Sequence, residues 1–204
     1  VNGVATFTDI TYDVAATIGV TASATGLTSS SAFSVSVTSG SVNYLKVTAG
    51  AASMTAGGTL ELTITAYDSN NNVATGYTGN KSLTFSGLNA SASGSSPKIE
   101  STNFGTALTV AFTNGASNAN AATLTVYKAE VASIDVTDGT NNSTGNTAYD
   151  LDLTVNPASA DHVAFTTQPS ASASTNVVLS QQPVVSIRDL YQNIRTSNTD
   201  AITL

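Results

Sequence analysis

Two clusters of oxygen-bearing side chains are the first places to look for chemistry. Asp68, Asn70 and Asn72 alternate along one stretch, and Asp138, Asn141 and Asn142 crowd another. Alternate Asp and Asn have the spacing of an oxygen cage. Calcium, which takes about six to eight hard oxygens and usually several carboxylates, is the ion that Asp68, Asn70 and Asn72 would suit. Asp and Asn also build turns by bonding their own backbone. Each cluster holds a single Asp, so a calcium site and a self-bonded turn both remain open readings.

Catalysis finds little to work with. There is one histidine, His162. A Ser-His-Asp arrangement would need a nucleophile and an orienting acid beside it, and the expected role is that of an exposed histidine at a domain start. Glycoside hydrolysis would need two facing carboxyl groups. Asp150, Asp152 and Glu61 alternate to the outer faces of strands, where acids aid solubility and guard sheet edges. No catalytic or cofactor-binding residue is assigned, and an enzyme is not expected. Asn80, Asn89, Asn141 and Asn142 begin Asn-x-Ser/Thr sequons and are candidate glycosylation sites. Lys46 alternates outward between Leu45 and Val47, which argues against a buried lysine–asparagine crosslink.

The elements that carry these residues read as strands. Leu60, Leu62, Ile64 and Ala66 fall on one face and Glu61, Thr63, Thr65 and Tyr67 on the other, the period of two that marks a half-buried strand. The strand then breaks into Asp68-Ser69-Asn70-Asn71-Asn72-Val73. A second copy reads Val184-Val185-Ser186-Ile187-Arg188 and then Asp189-Leu190-Tyr191-Gln192-Asn193-Ile194. The two lie about 121 residues apart, a domain-sized period.

Composition narrows the class. Charged residues make up 9% of the 204, against roughly 25% in an average soluble protein. Ser, Thr, Asn, Ala and Gly take their place, while Val, Ile, Leu and Phe recur regularly enough to build a core. The net charge is −7 with six Lys and Arg, which speaks against nucleic acid and anionic membranes as partners. There is no cysteine, hence no disulfide framework and no thiolate metal site. No apolar run approaches the roughly 20 residues that span a bilayer. Val1-Asn2-Gly3-Val4 has no Met, basic region or apolar region of a signal peptide, so the chain is expected to be part of something longer.

In order, residues 1–38 predict three strand-like runs: Val4 to Thr8 after a turn at Asn2-Gly3, Thr17 to Ala22, and Ala32 to Val37. They read as the closing half of a sandwich. Residues 39–156 predict a complete domain of seven or eight period-two runs, with Leu62, Ile64, Leu83, Phe85, Val110, Phe112, Ile134 and Leu153 in its core. The Ser/Ala/Gly stretch from Gly87 to Ser96 reads as a loose loop, and Tyr127 to Asp135 has room for a helical turn. Ala122 to Thr125 matches Ala5 to Thr8 at an offset of about 117. A Pro157 linker then leads into residues 157–204, the opening half of another domain, running to Leu204. The layout suggests either an excised stretch of an array or half-domains that complete one another between copies.

These motifs resemble bacterial immunoglobulin-like and filamin-like tandem repeats. The Asp-x-x-x-Asn-Val/Ile turns at Asp68 and Asp189 look like that family's turn. Asn2 to Thr8 resembles a late strand of such repeats, and Pro157 to Val163 with Phe165 to Pro169 resembles their joint and opening strand. The resemblance implies an all-β fold of tandem immunoglobulin-like β-sandwich domains in a large prokaryotic cell-surface or extracellular protein. It implies a structural role in a surface layer, sheath, filament or stalk, with copies of itself or adjacent repeats as partners. The alternative is an adhesin arm or a carbohydrate-binding accessory module. Sugar binding favours exposed aromatics, and without Trp the candidates are Tyr67, Tyr77 and Tyr191.

Overall fold

Alternating burial decides the layout. In the computed structural model, which describes residues 3–203, the chain forms three separate sheets. The first is a hairpin of β1 (Thr17–Val20) and β2 (Phe33–Ser36). The central sheet holds β3 (Tyr44–Ala49), β4 (Ser53–Thr55), β5 (Thr59–Tyr67), β6 (Gly79–Ser86), β7 (Lys98–Ile99), β8 (Thr102–Asn103), β9 (Leu108–Thr113), β10 (Ala116–Ser117), β11 (Thr123–Thr125), β12 (Val131–Thr137) and β13 (Leu151–Asn156). The last sheet is a hairpin of β14 (His162–Thr167) and β15 (Val184–Arg188). No helix occurs among the described residues, including the stretch 127–135, which enters β12 at Val131.

The central sheet is built on β5. One edge of β5 pairs with β3 in register from Tyr44↔Tyr67 to Ala49↔Leu62. Its other edge is shared by β10 and β11. From β10 the ladder continues antiparallel through β9, β6, β12 and β13, and ends in a parallel pairing of β13 with β4. The free edge of β3 is covered as well, because Leu45 N–H donates to Asn142 C=O at 3.2 Å and Val47 N–H to Tyr149 C=O at 2.8 Å. The strands thus wrap into a sandwich around one interior.

That interior holds the residues that period two predicts. Leu62, Ile64, Leu83, Phe85, Val110, Phe112, Ile134 and Leu153 are all at most 3% exposed. Every second residue of β5 from Leu62 to Ala66 is buried, so the strand is sealed on one face, as the sequence reading requires. The all-β sandwich is therefore the fold of the stretch from β3 to β13.

Several expectations are corrected. Residues 4–8 form no strand. The Asn2-Gly3 turn and the run ending at Leu204 fall partly outside the described residues. Residues 87–96 are not loose. Leu88 and Ser91 are buried, the hydroxyls of Ser91, Ser93 and Ser95 bond in a chain, and Asn89 is held by Glu130. Glu61 does not simply face water either: it is half-buried beside β11, with Thr123 Oγ1 donating to Oε2 at 2.9 Å.

The first hairpin, β1–β2, and the last hairpin of the central sheet, β12–β13, are counterparts in their pairing. Val37 N–H donates to Ala16 C=O, and Val155 N–H donates to Glu130 C=O. Val20 pairs with Phe33, and Ile134 pairs with Leu151. These counterparts lie 114 residues apart on the first strand (16 and 130) and 118 on the second (37 and 155). Ile134 thus corresponds to Val20 on the ladder, at an offset of 114.

Candidate functional site

The chemistry-bearing residues gather where one sheet meets the next. After β5 the chain turns through loop 68–72, and after β15 through loop 189–193. Both loops are closed by a single bridge between flanking residues, Tyr67↔Val73 and Arg188↔Ile194. In both, the first Asp donates its N–H to the C=O of the Asn four residues on, at 2.9 and 3.0 Å. In both, the fourth residue is left-handed, Asn71 at φ 64° and Gln192 at φ 70°. Asn tolerates that region better than most residues.

The Asp side chain organises each loop. Asp68 Oδ1 accepts the N–H of Asn70 at 2.9 Å and of Asn72 at 2.8 Å. Asp189 Oδ1 accepts the N–H of Tyr191 at 2.9 Å and of Asn193 at 2.8 Å. The second oxygen reaches back to the linker before the sheet. Asp68 Oδ2 takes the Gly40 N–H at 2.9 Å, and Asp189 Oδ2 takes the Ala158 N–H at 2.8 Å. Both Asp are buried, at 3% and 0% exposure. The Gly40 N–H, with help from Asn72 and Asn70 and against the effect of burial, holds the Asp68 carboxyl down to about 2.

The Asn at the fourth position after Asp points outward to the preceding sheet. Asn72 Nδ2 donates to Asp13 C=O at 2.7 Å, and its Oδ1 accepts the Ala15 N–H at 2.9 Å. Asn193 Nδ2 donates to Tyr127 C=O at 2.8 Å, and its Oδ1 accepts the Ala129 N–H at 2.8 Å. Each Asn also donates to its own Asp. The gripped residues are again 114 apart, 13 against 127 and 15 against 129. One carboxylate and one amide thus tie three pieces of chain together at each joint.

The second joint adds packing. The Tyr127 and Tyr191 rings lie 5.0 Å apart at 58°. Gly57, at φ +81°, lies against Tyr191, and a Cβ there would overlap the Tyr191 hydroxyl. At the first joint the position of Tyr191 is taken by Asn70, which is exposed. Beneath that joint Tyr44 stacks between Tyr67, at 5.2 Å and 12°, and Tyr149, at 3.8 Å and 10°. The Tyr44 hydroxyl donates to Asn71 Oδ1 at 2.9 Å.

The other candidates are scattered. Asp138 makes a third self-bonded turn within the central sandwich, accepting from Thr140 and Asn141 N–H and from the Tyr77 hydroxyl at 2.7 Å. Burial pushes its carboxyl up, but the bonds from Tyr77, Asn141 and Thr140 outweigh this and the net shift is down. The Tyr77 hydroxyl is raised, by burial first and then by Asp138. Asp150 is raised by burial and by the nearby Asp152 and Asp135. His162 contacts Asp161 at 2.8 Å and Gln192 at 3.3 Å.

Of the sequon residues, Asn80 lies exposed on β6, Asn89 donates to Glu130, Asn141 donates to Asp138, and Asn142 is exposed. A cation at Asp68, Asn70 and Asn72 would have to displace the N–H donors already on Asp68. Among the described residues no group of three or more His, Cys, Asp or Glu is placed to hold a metal.

Gly57, Tyr127 and the backbone of residues 13–15, 40 and 127–129 escape sequence reasoning as joint residues. One signal was available for Asn193. Between the two motifs Asn70 is replaced by Tyr191, while the Asp and the Asn four residues later are kept.

No family model matches the chain, and neither does any curated protein. Among solved structures it is similar to FdeC, an Escherichia coli adhesin, at 17% identity and a TM-score of 0.41, over 79% of this chain and 46% of that one. At that level of likeness the fold rests on the strands themselves.

Proposed function

We propose that the chain is a run of immunoglobulin-like repeats with a mechanical role, an extracellular module of a surface layer, sheath, filament or stalk. One observation carries this reading: the same loop, with the same hydrogen bonds, fastens each sheet to the one before it. Repetition of a joint is what a spacer needs and what a single binding site does not. The joints rely on hydrogen bonds between near neighbours, so added salt should screen them little.

The tyrosines favour this reading over a sugar-binding one. Tyr191 sits at a joint, Tyr77 is buried edge-on against Phe112, and Tyr67 lies in the Tyr44 stack. The hairpins β1–β2 and β14–β15 expose Val20, Phe33, Val163 and Phe165. Adjacent repeats, or the complementary half of another copy, are the cover we propose for those faces.

Small-angle X-ray scattering of the chain tests the proposal. The expected result is one elongated stiff particle, unchanged between low and high salt. A curve requiring independently moving bodies at every ionic strength would overturn it.

A further inference from the structure

The two joints make the same contacts with different sequences. The first grips Asp13-Val14-Ala15 and the second Tyr127-Lys128-Ala129. Each Asn touches the C=O of the first residue and the N–H of the third. In both segments the middle residue, Val14 or Lys128, is a bend outside any strand, and the C=O before it and the N–H after it are both turned to the loop amide. A primary amide carries both a donor and an acceptor, so Asn72 and Asn193 each satisfy by one side chain a backbone C=O and a backbone N–H that a neighbouring backbone would otherwise have to meet.

We infer that the Asp-x-x-x-Asn loop is a docking surface for the backbone of a preceding repeat, blind to the side chains of the first two residues it grips, with Ala third in both. Its partner is any immunoglobulin-like repeat that presents a bent segment with a free C=O and a free N–H two residues apart. Repeats of unrelated sequence can then follow one another in any order without a matched interface. The Tyr127–Tyr191 contact is an addition to the second joint, since the first holds the same two bonds without it. The inference rests on the tandem reading above, but it is tested separately from it.

The test is amide hydrogen exchange by NMR on the whole chain. Asn72→Ala should speed exchange at Ala15 about tenfold or more, leaving Ala129 and the β3–β5 ladder unchanged. Asn193→Ala should do the reverse. Asn72→Asp, which keeps an acceptor but loses both donor hydrogens, should also loosen Ala15. Asp13→Tyr with Val14→Lys, which gives the first joint the side chains of the second, should leave Ala15 protected. Loosening by that double variant as large as by Asn72→Ala would show that side chains are read, and would overturn the inference. So would unchanged Ala15 exchange in Asn72→Ala. Flexible scattering together with a clear Asn72→Ala effect would defeat the stiff-stalk function and leave the docking surface standing.

Discussion

The strand pair β3–β5 and the strand pair β14–β15 are close counterparts in opposite surroundings. Leu45, Val47, Ile64 and Ala66 correspond to Val163, Phe165, Val185 and Ile187, at offsets of 118 and 121. The first four are at most 1% exposed, whereas Val163 and Phe165 are 57% and 44% exposed. The loops that follow do not share this difference, for Asp68 and Asp189 are both buried and make the same bonds. A sandwich core thus needs its opposite layer, but the loop needs only the neighbouring sheet. Two kinds of order coexist in the chain, one made by apolar burial and one by a few hydrogen bonds at a joint.

The largest expected effect lies in the covered pair. Ile64→Ala should lower the stability of the central sandwich by about 2–5 kcal/mol in a denaturant titration, through lost burial and the cavity left behind. A loss as small as a surface change would erase the contrast between the two pairs. Next comes the second joint. Asn193→Ala strands the Tyr127 C=O and the Ala129 N–H, at a cost of about 1–3 kcal/mol. It should appear as sub-global opening of residues 157–203, with the central sandwich's own transition unmoved.

The first joint should respond to acid. A carboxyl held below its ordinary value contributes stability that is full above that value and is lost as the pH falls through the folded one. For Asp68 the window runs from 3.8 down to about 2. Its carboxyl carbon should titrate near the lower end by NMR, with the Gly40 amide losing protection in step. Titration at the ordinary value would mean the bonds in loop 68–72 are not held in solution. The smallest effect belongs to the uncovered pair. Val185→Ala, on a half-buried face, should change stability by only about 0.5 kcal/mol. A loss matching Ile64→Ala would reveal a cover on β14–β15 in solution.

Much of this organisation was legible in the residues. Alternation located β5 and the core, because burial on one face imposes a period of two on any sequence that forms it. The repeated Asp and Asn located the loops. Their task was not legible, since a turn, an oxygen cage and a backbone clasp draw on the same residue types. The register between counterpart strands was not legible because Ser, Thr and Ala recur so often; the ladder fixes it at 114 between β1 and β12. Glu61 and loop 87–96 were misread for another reason. Their burial comes from β11 and from Glu130, segments far along the chain that local pattern does not report.

The tyrosine arrangement also makes the molecule its own optical reporter. The chain has no tryptophan, so its near-ultraviolet signal comes mainly from tyrosine. The parallel trio of Tyr67, Tyr44 and Tyr149 belongs to the central sandwich, while the tilted pair of Tyr127 and Tyr191 straddles the second joint. Circular dichroism of the chain beside that of Tyr191→Phe would separate loosening of a linkage from melting of the body, with no added dye.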